Sequence, residues 1–285
     1  MRIARKRRTE RLMGSHFHEG LEEFVQVGGE WSEVVRLGRG DPIVLVPGLA
    51  GGWRLLAPLA RRLARHHQVI LYGLRRDGSP LGPPARSVAE YARDLACLLD
   101  ELRLERPTVF GVSFGGAIAL ELAVEQPHRI GGLILQGVES RFRMTLGATI
   151  ARRVLERFPL PADNGFLNQF FNLLHGGKPE AGPLADFVVE RCWATDQSVV
   201  AHRIGLLESF DVSDRLWQID VPTLVLAGTR DVIVPPSRQR ALAESIAGAH
   251  FETIEGAGHV GFLTHGGDVS HHVGRHLNEV RHFAS

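Results

Sequence analysis

Cysteines and long hydrophobic runs are scarce in this sequence, and both absences narrow what the chain can be. Its 285 residues include two cysteines, Cys97 and Cys192, which form neither a CxxC motif nor a disulfide framework. The longest apolar runs are four to six residues, whereas a helix that spans a bilayer needs about 20. We therefore expect a cytoplasmic protein that works in a reducing compartment and has no membrane partner.

The chain also lacks an excess of charge of either sign. Its 33 basic and 32 acidic residues give a net charge of +1. Residues 1–12 hold six basic residues and one acid, which leaves −4 on the rest of the chain. A net negative charge on the chain after residue 12 argues against nucleic-acid binding by that part of the protein. Lysine is rare beside arginine, as is typical of proteins from GC-rich bacterial genomes.

The basic residues at the start resemble the charged region of a signal peptide. No apolar segment of 7–15 residues follows them, so the pattern is incomplete. We predict a solvated, disordered tail over residues 1–20. Two alternatives are a true start at Met13 and a basic patch for a membrane surface or nucleic acid.

Short apolar runs without alternation indicate strands that are buried on both faces of a parallel sheet. They are Ile43–Val46, Val69–Tyr72, Thr108–Val112, Leu133–Leu135 and Thr223–Ala227. Helical patterns at Ser87–Leu104 and Gly116–Gln126 separate some of them. Alternating segments around Gly28-Gly29 predict an antiparallel hairpin at the sheet edge. This order predicts an α/β fold, with sites at the carboxyl ends of the strands.

One region departs from the alternation of strands and helices. Between Glu139 and Asp214 no strand pattern occurs, while apolar residues such as Phe142, Phe158 and Phe170 recur at helical spacing. We predict a helical cap over residues 139–214, inserted into a core made of residues 21–138 and 215–285. Its aromatic residues are expected to form mainly the core of the cap, and some could also line a pocket.

A motif typical of a nucleophilic serine lies at the end of the predicted strand Thr108–Val112. Gly111-Val112-Ser113-Phe114-Gly115 is a G-x-S-x-G sequence between a predicted strand and a predicted helix. A serine on so sharp a turn needs small neighbours and stands beside the positive end of the helix dipole. Neither this segment nor Pro47–Gly52 has the spacing of a nucleotide-binding loop, so no nucleotide is expected.

A serine nucleophile needs a base and an orienting acid. His259 lies in a glycine-rich loop after the strand-like Phe251–Ile254, and Asp231 follows Thr223–Ala227. Glu139, just past Leu133–Leu135, is the alternative acid. His272 and His276 are four residues apart on a predicted helix, but with no further ligand evident we predict a solvated face and no metal site.

The chain resembles the α/β-hydrolase family over residues 24–283. The motifs that carry the resemblance are Pro47–Gly52, Gly111–Gly115, Pro222–Pro236 and Gly256–Leu263, with the order Ser113, Asp231, His259. The resemblance implies a mostly parallel eight-stranded sheet with helices on both faces and a helical cap. It also implies that Ser113 is the nucleophile, Asp231 the acid and His259 the base, with the backbone N–H groups of Leu49 and Phe114 as the oxyanion hole.

One loop departs from the family pattern. After Val69–Tyr72, relatives show an acidic residue and then Arg-Gly-His-Gly, whereas this chain has Gly73-Leu74-Arg75-Arg76-Asp77-Gly78-Ser79. The departure leaves the triad intact but weakens any substrate assignment by analogy.

The leading functional hypothesis is hydrolysis of a carboxylic ester with a small-to-medium apolar acyl or aryl group, without a cofactor. Hydrolytic C–C cleavage of a diketone-like substrate and cofactor-free perhydrolase activity are the enzymatic alternatives. A ligand-binding module on a hydrolase scaffold is the non-enzymatic alternative. A serine at position 113 disfavours the dehalogenase and epoxide-hydrolase branches, which use aspartate there. The sequence leaves both a monomer and a homo-oligomer open.

Overall fold

The sheet forms from the short apolar segments that the sequence predicts as strands. The computed structural model describes residues 20–77, 84–143, 146–157 and 165–284, and in it eight strands form one sheet in the order β1-β2-β4-β3-β5-β6-β7-β8. The strands are β1 (Leu21–Val27), β2 (Glu30–Leu37), β3 (Pro42–Val46), β4 (Gln68–Tyr72), β5 (Thr108–Val112), β6 (Gly132–Gln136), β7 (Thr223–Gly228) and β8 (His250–Ile254). All the predicted strands are confirmed, with ends that differ by up to three residues.

The direction of the strands decides where a site can form. β1 and β2 pair antiparallel, as the predicted hairpin requires, and β2 pairs antiparallel with β4. The remaining neighbours, from β4 through β3 to β8, all pair in parallel. Their carboxyl ends therefore meet at one edge, which is where open α/β sheets place their ligands.

Helices cover both faces of the sheet. They are α1 (Gly52–Leu63), α2 (Val88–Glu101), α3 (Phe114–Glu125), α4 (Leu146–Arg157), α5 (Gly165–His175), α6 (Pro183–Trp193), α7 (Gln197–Leu207), α8 (Pro236–Glu244), α9 (Gly261–Thr264) and α10 (Gly266–Ala284). Successive residues of β3 point to opposite faces, so Val44 packs with α2 and α3 whereas Leu45 packs with α1 and α10. The predicted α/β sheet covered on both sides is confirmed.

Four described helices, α4 to α7, lie between β6 and β7, within the range predicted as a cap, and this insertion is called the cap below. The two ends of this insertion meet, because the N–H of Val212 donates to the carbonyl of Ser140 at 2.9 Å and Arg141 forms an isolated bridge with Asp211. Within the described residues, no helix of the chain is long and apolar enough to cross a bilayer.

The apolar residues of the cap do not all pack as the helical spacing predicts. Phe171 and Leu174 of α5 are buried, but Leu146 and Ile150 at the start of α4 are exposed. Phe158 and the predicted tail, apart from Gly20, lie outside the described residues. The division into tail, core and cap stays a prediction.

Candidate active site

Ser113 occupies the sharp turn between β5 and α3. Its backbone has φ 53° and ψ −116°, a positive φ that side chains other than glycine rarely adopt. Its N–H donates to the carbonyl of Gln136 at 2.9 Å, which ties the turn to the end of β6. This geometry is the strained elbow that raises a serine hydroxyl above a sheet, and the residue is only half-buried.

The two glycines of the motif are required by close backbone contacts. A Cβ at Gly111 would lie 2.4 Å from the carbonyl oxygen of Gly115. A Cβ at Gly115 would lie 2.1 Å from the carbonyl oxygen of Val46. Both distances are far below van der Waals contact, so the core itself dictates the G-x-S-x-G pattern.

Asp231 follows β7 and is almost fully buried, at 3 % exposure. Its Oδ1 accepts the N–H groups of Ile233 and Val234, both at 3.0 Å. Its Oδ2 lies 2.9 Å from Nδ1 of His259. A carboxylate at Nδ1 selects the tautomer in which that nitrogen carries the proton, which leaves Nε2 as an acceptor.

His259 is buried at the same edge, in the loop after β8. Its ring lies directly against Gly137, where an added Cβ would be 2.8 Å from Cε1. Gly137 also has a φ of +68°, so a side chain is excluded there by both backbone and space. The loop after β6 thus provides the room for the imidazole ring.

Glu139, the alternative acid, has a different partner. Nη1 of Arg238 donates to its two carboxylate oxygens at 3.2 and 3.4 Å. Burial raises the pKa of Glu139, and the charge of Arg238 offsets only part of that rise. The structure therefore places Asp231, not Glu139, in the hydrogen bond to His259.

Gln239 of α8 is a member of the site that sequence reasoning missed. Its fully buried amide donates to Oδ2 of Asp231 at 3.3 Å and to the carbonyl of Val234 at 2.7 Å. Its Oε1 accepts the N–H of Gly137 at 2.8 Å. A glutamine between two arginines in a polar helix gives no sequence signal of burial.

The proposed oxyanion donors lie on two different loops. Phe114 is the first residue of α3, so its N–H is one of those that no carbonyl within the helix can accept. Gly48 brings the other loop close to the serine, because a Cβ there would be 3.6 Å from Cβ of Ser113. Leu49 comes next, and its carbonyl accepts Nη1 of Arg203 at 2.9 Å.

Comparisons with known proteins identify the family. A family model described as the alpha/beta hydrolase fold matches residues 41–266, which is most of the chain. The chain belongs to the α/β-hydrolase family. The predicted fold class and the prediction of an α/β-hydrolase enzyme are thereby confirmed, while the catalytic roles of individual residues stay predictions.

Three relatives of this α/β-hydrolase cover most of its length. A putative carbamate hydrolase RutD of Azorhizobium caulinodans is 32 % identical over 249 residues, 78 % of this chain and 85 % of that protein. A pimeloyl-[acyl-carrier protein] methyl ester esterase of Aeromonas salmonicida is 27 % identical, covering 81 % and 93 %. The structure of a thermophilic esterase from Thermogutta terrifontis superposes with a TM-score of 0.78 at 26 % identity, covering 91 % and 98 %.

The loop that departs from the family pattern is ordered by its own ion pairs. Arg75 forms a bidentate pair with Asp94 at 2.7 and 2.9 Å. Asp77 accepts the N–H of Leu74 at 2.9 Å and Nη2 of Arg203 at 2.7 Å. Asp77 of this loop therefore binds the buried Arg203 of α7, and Gly78-Ser79 lie outside the described residues.

An apolar pocket of about 90 Å³ lies between the core loops and the cap of this α/β-hydrolase. Leu49 and Ala50 form its core side, and α5 contributes Phe170 and Phe171. The end of α5 rests on the histidine loop, because the N–H of Val260 donates to the carbonyl of Leu174 at 3.1 Å. The pocket therefore adjoins the loop that contains Leu49, and the aromatic residues of α5 that line it belong to a helix whose end contacts the His259 loop.

The histidine pair of α10 does not form the solvated face that the sequence predicts. His276 is buried, with its ring 5.7 Å from that of His250, and His272 lies 3.9 Å from Glu252. Among the described residues, no group of three or more histidine, cysteine or acidic side chains is placed to bind a metal ion.

Proposed function

We propose that this α/β-hydrolase cleaves carboxylic esters with a small-to-medium apolar acyl group through an acyl-enzyme on Ser113. The observation that carries the proposal is the 2.9 Å contact between buried Asp231 and Nδ1 of His259, at the sheet edge where Ser113 stands on its strained turn. These are the three groups that nucleophilic acyl transfer requires, in the chain order of the family.

The chemistry follows from these positions. Oγ of Ser113 attacks the ester carbonyl while Nε2 of His259 takes the hydroxyl proton, and buried Asp231 stabilises the imidazolium. The negative charge that develops on the carbonyl oxygen is stabilised by the N–H groups of Leu49 and Phe114. His259 then gives its proton to the departing alcohol, and water repeats the sequence to release the acid.

The pocket supports an apolar acyl group. Its walls include leucine, alanine, phenylalanine, valine and isoleucine side chains, and its polar lining comes from Thr195 and Gln197. An apolar cavity of this size favours short alkyl or aryl groups over charged ones. The methyl ester esterase and the thermophilic esterase among its relatives support ester hydrolysis as the reaction.

Carbamate hydrolysis is the second candidate, because a relative at 32 % identity bears that name. The same nucleophile and oxyanion hole would attack a carbamate carbonyl. The apolar lining of the pocket favours the ester over a small polar carbamate.

The test compares the wild type with Ser113→Ala on p-nitrophenyl acetate, butyrate and octanoate, a carbamate, a lactone, a diketone, and acetate with hydrogen peroxide. Ser245→Ala is the matched control, because that exposed hydroxyl bonds only to the carbonyl of its own helix at Ala241. We expect Ser113→Ala to lower kcat by about 10³-fold or more and to abolish labelling by a fluorophosphonate. Mass spectrometry of the labelled wild type should place the adduct on Ser113.

Two results would contradict the proposal. Near-normal esterase activity in Ser113→Ala would exclude this serine as the nucleophile. Turnover of the diketone or of peroxide-dependent substrates, with no ester hydrolysed, would favour C–C cleavage or perhydrolysis. A wild type that binds ligands but resists the fluorophosphonate would favour a binding module.

A further inference from the structure

We propose that Arg203, in helix α7, is a positioning residue that holds the oxyanion hole in place from the cap. The guanidinium bonds to the backbone of Leu49, whose N–H is one of the two proposed donors. The inference rests on the proposed function, because it concerns the oxyanion hole of that same site. It assigns a role to a residue with no place in the triad.

Arg203 is fully buried, with 0 % of its surface exposed. Its Nη1 donates to the carbonyl of Leu49 at 2.9 Å, and its Nη2 donates to the carbonyl of Arg75 at 3.1 Å. Nη2 also pairs with Oδ1 of Asp77 at 2.7 Å. One cap side chain therefore joins the loop after β3 to the loop after β4.

The same guanidinium also contacts the second donor residue. Its Cζ lies 5.8 Å from the ring centres of Phe114 and of Tyr91, and these two rings meet edge to face at 5.2 Å. Phe114 follows Ser113 and supplies the other proposed N–H. Arg203 thus bonds to one donor residue and packs on the ring of the other.

Stability alone is a weak reason for such an arrangement. A buried ion pair gains little over well-packed apolar side chains of the same volume, because both charges lose their hydration. The hydrogen bonds to two backbone carbonyls, by contrast, fix the direction of the peptides they touch, and the Leu49–Ala50 peptide directly follows the one that carries the N–H of Leu49. A planar guanidinium with several fixed donors suits that task better than lysine.

A second contact from the cap acts on the same loop. The N–H of Gly51 donates to Oγ1 of Thr195 at 2.9 Å, and Thr195 is buried at the end of α6. The segment that contains Leu49 is therefore held at two points by cap side chains. If either point moves, the N–H of Leu49 moves relative to Ser113.

The expected effect follows from the precision that an oxyanion hole demands. Its donors must lie about 2.7–3.1 Å from the developing oxyanion, and losing one costs about 10²–10³ in kcat. A donor that is displaced rather than removed should cost less. We expect Arg203→Met to lower kcat by about 10- to 100-fold while KM changes less than about threefold.

The matched control is Arg152→Met on cap helix α4. Arg152 is also a cap arginine in ion pairs, with Nη1 2.8 Å from Glu156 and Nε 3.1 Å from Glu208, but both acidic side chains lie at the surface and neither contacts Leu49. We expect kcat of this variant within about twofold of the wild type. Both variants are assayed on the best p-nitrophenyl ester, with active sites counted by fluorophosphonate so that unfolded molecules do not contribute.

A readout that a purely structural role would not change is the affinity for phenylboronic acid. Boron accepts the Ser113 oxygen, and the tetrahedral adduct places a hydroxyl in the oxyanion hole. We expect its inhibition constant to rise by about the same factor as kcat/KM falls. The inhibition constant of the p-nitrophenyl ether analogue, which has no carbonyl, should change less than about threefold.

Arg203→Lys and Asp77→Asn keep the proposal testable if Arg203→Met does not fold. Lysine keeps the charge but cannot bond to both loops, so we expect kcat and boronate affinity to fall together by about tenfold. Asp77→Asn should give a smaller loss of the same two quantities.

Unchanged kcat per active site in all folded variants, or loss of ether and boronate binding alike, would overturn the proposal. If the Arg203 variants overturn the inference and Ser113→Ala keeps its esterase activity, the proposed function fails as well. If Ser113→Ala is inactive, only the inference about Arg203 fails.

Discussion

The two glycine-containing loops of the site are held in place by different parts of the molecule. The turn Gly111–Gly115 is fixed by the core, since Gly111 lies directly against the backbone of Gly115 and Gly115 lies against the carbonyl of Val46 in β3. The loop Pro47–Gly52 is fixed from outside the core, by Arg203 and Thr195 of the cap. The proposed nucleophile is thus held by the sheet, while one proposed oxyanion donor depends on the cap.

The proposed acid, Asp231, is held by residues of the core. Asp231 takes its hydrogen bonds from Ile233, Val234 and Gln239, all within the segment that follows β7. Changes at Arg203 or Thr195 should therefore act on the site through Leu49 and leave the contact between Asp231 and His259 intact, whereas the end of α5 lies against the His259 loop. Changes at the sheet edge should affect the triad first.

The largest expected effect is at the acid. Asp231→Asn keeps the shape but removes the charge that selects the histidine tautomer, so kcat should fall by about 10⁴-fold. Glu139→Gln should cost less than about tenfold, because Glu139 is bonded to Arg238 and not to the histidine. The measurement is kcat of both variants on the best ester, with folding checked by circular dichroism.

Interchanged results would reassign the acid. If Glu139→Gln is the inactive variant and Asp231→Asn survives, the acid lies after β6 and the contact to Asp231 is not the functional one. Ser113 and His259 would keep their proposed roles. The acid would then lie in the loop where the cap insertion begins, which would weaken the contrast between core and cap.

The next largest expected effect is on the free energy of unfolding, when a glycine is replaced in each of the two loops, Gly111–Gly115 and Pro47–Gly52. Gly115→Ala should lower the free energy of unfolding by about 3 kcal/mol or prevent folding, because its Cβ would meet the carbonyl of Val46 at 2.1 Å. Gly48→Ala should lower it by about 1 kcal/mol or less, because its nearest contacts, to Val112 and Ser113, are 3.5 and 3.6 Å. Urea denaturation of both variants measures the difference.

Gly267→Ala is the control for Gly115→Ala and Gly48→Ala, because it shows how alanine changes the free energy of unfolding where the new methyl group meets no other atom. Gly267 lies in α10 with no atom within 4 Å of an added Cβ, so alanine should stabilise by about 0.5–1 kcal/mol. Equal losses for Gly115→Ala and Gly48→Ala would show that both loops are equally constrained by the core. The contrast between the two loops would then be wrong.

The core was largely predictable from the sequence because its signals are local. Strands buried on both faces leave continuous apolar runs, and a glycine at 111 or 115 marks a turn that admits nothing larger. The order of Ser113, Asp231 and His259, each after a strand of one parallel sheet, brings them to one edge. The structure shows the contact between Asp231 and His259 that this order predicts.

The supporting residues were not predictable, because their partners are distant in the chain. Arg203 lies 154 residues from Leu49, and Gln239 lies 102 residues from Gly137. An arginine or a glutamine on a helix normally faces water, so burial of either contradicts the usual expectation. The departure at Asp77 was visible in the sequence, but its partner Arg203 was not.

The smallest expected effect tests whether the cap pocket is closed in solution. Cys192 lines that pocket, and burial raises its pKa to about 12, whereas Cys97 on α2 is exposed. At pH 8 about one Cys192 in 10⁴ is then a thiolate, so iodoacetamide should modify Cys97 and spare Cys192. Modification at Cys97 should leave kcat/KM within about twofold, because it lies on a surface away from the triad.

Peptide mass spectrometry reports the sites, with Cys97→Ser as the control and guanidinium-unfolded protein as the sample in which both thiols react. If Cys192 reacts as fast as Cys97 in the native protein, the pocket opens readily, and a loop held by the cap would be held only part of the time.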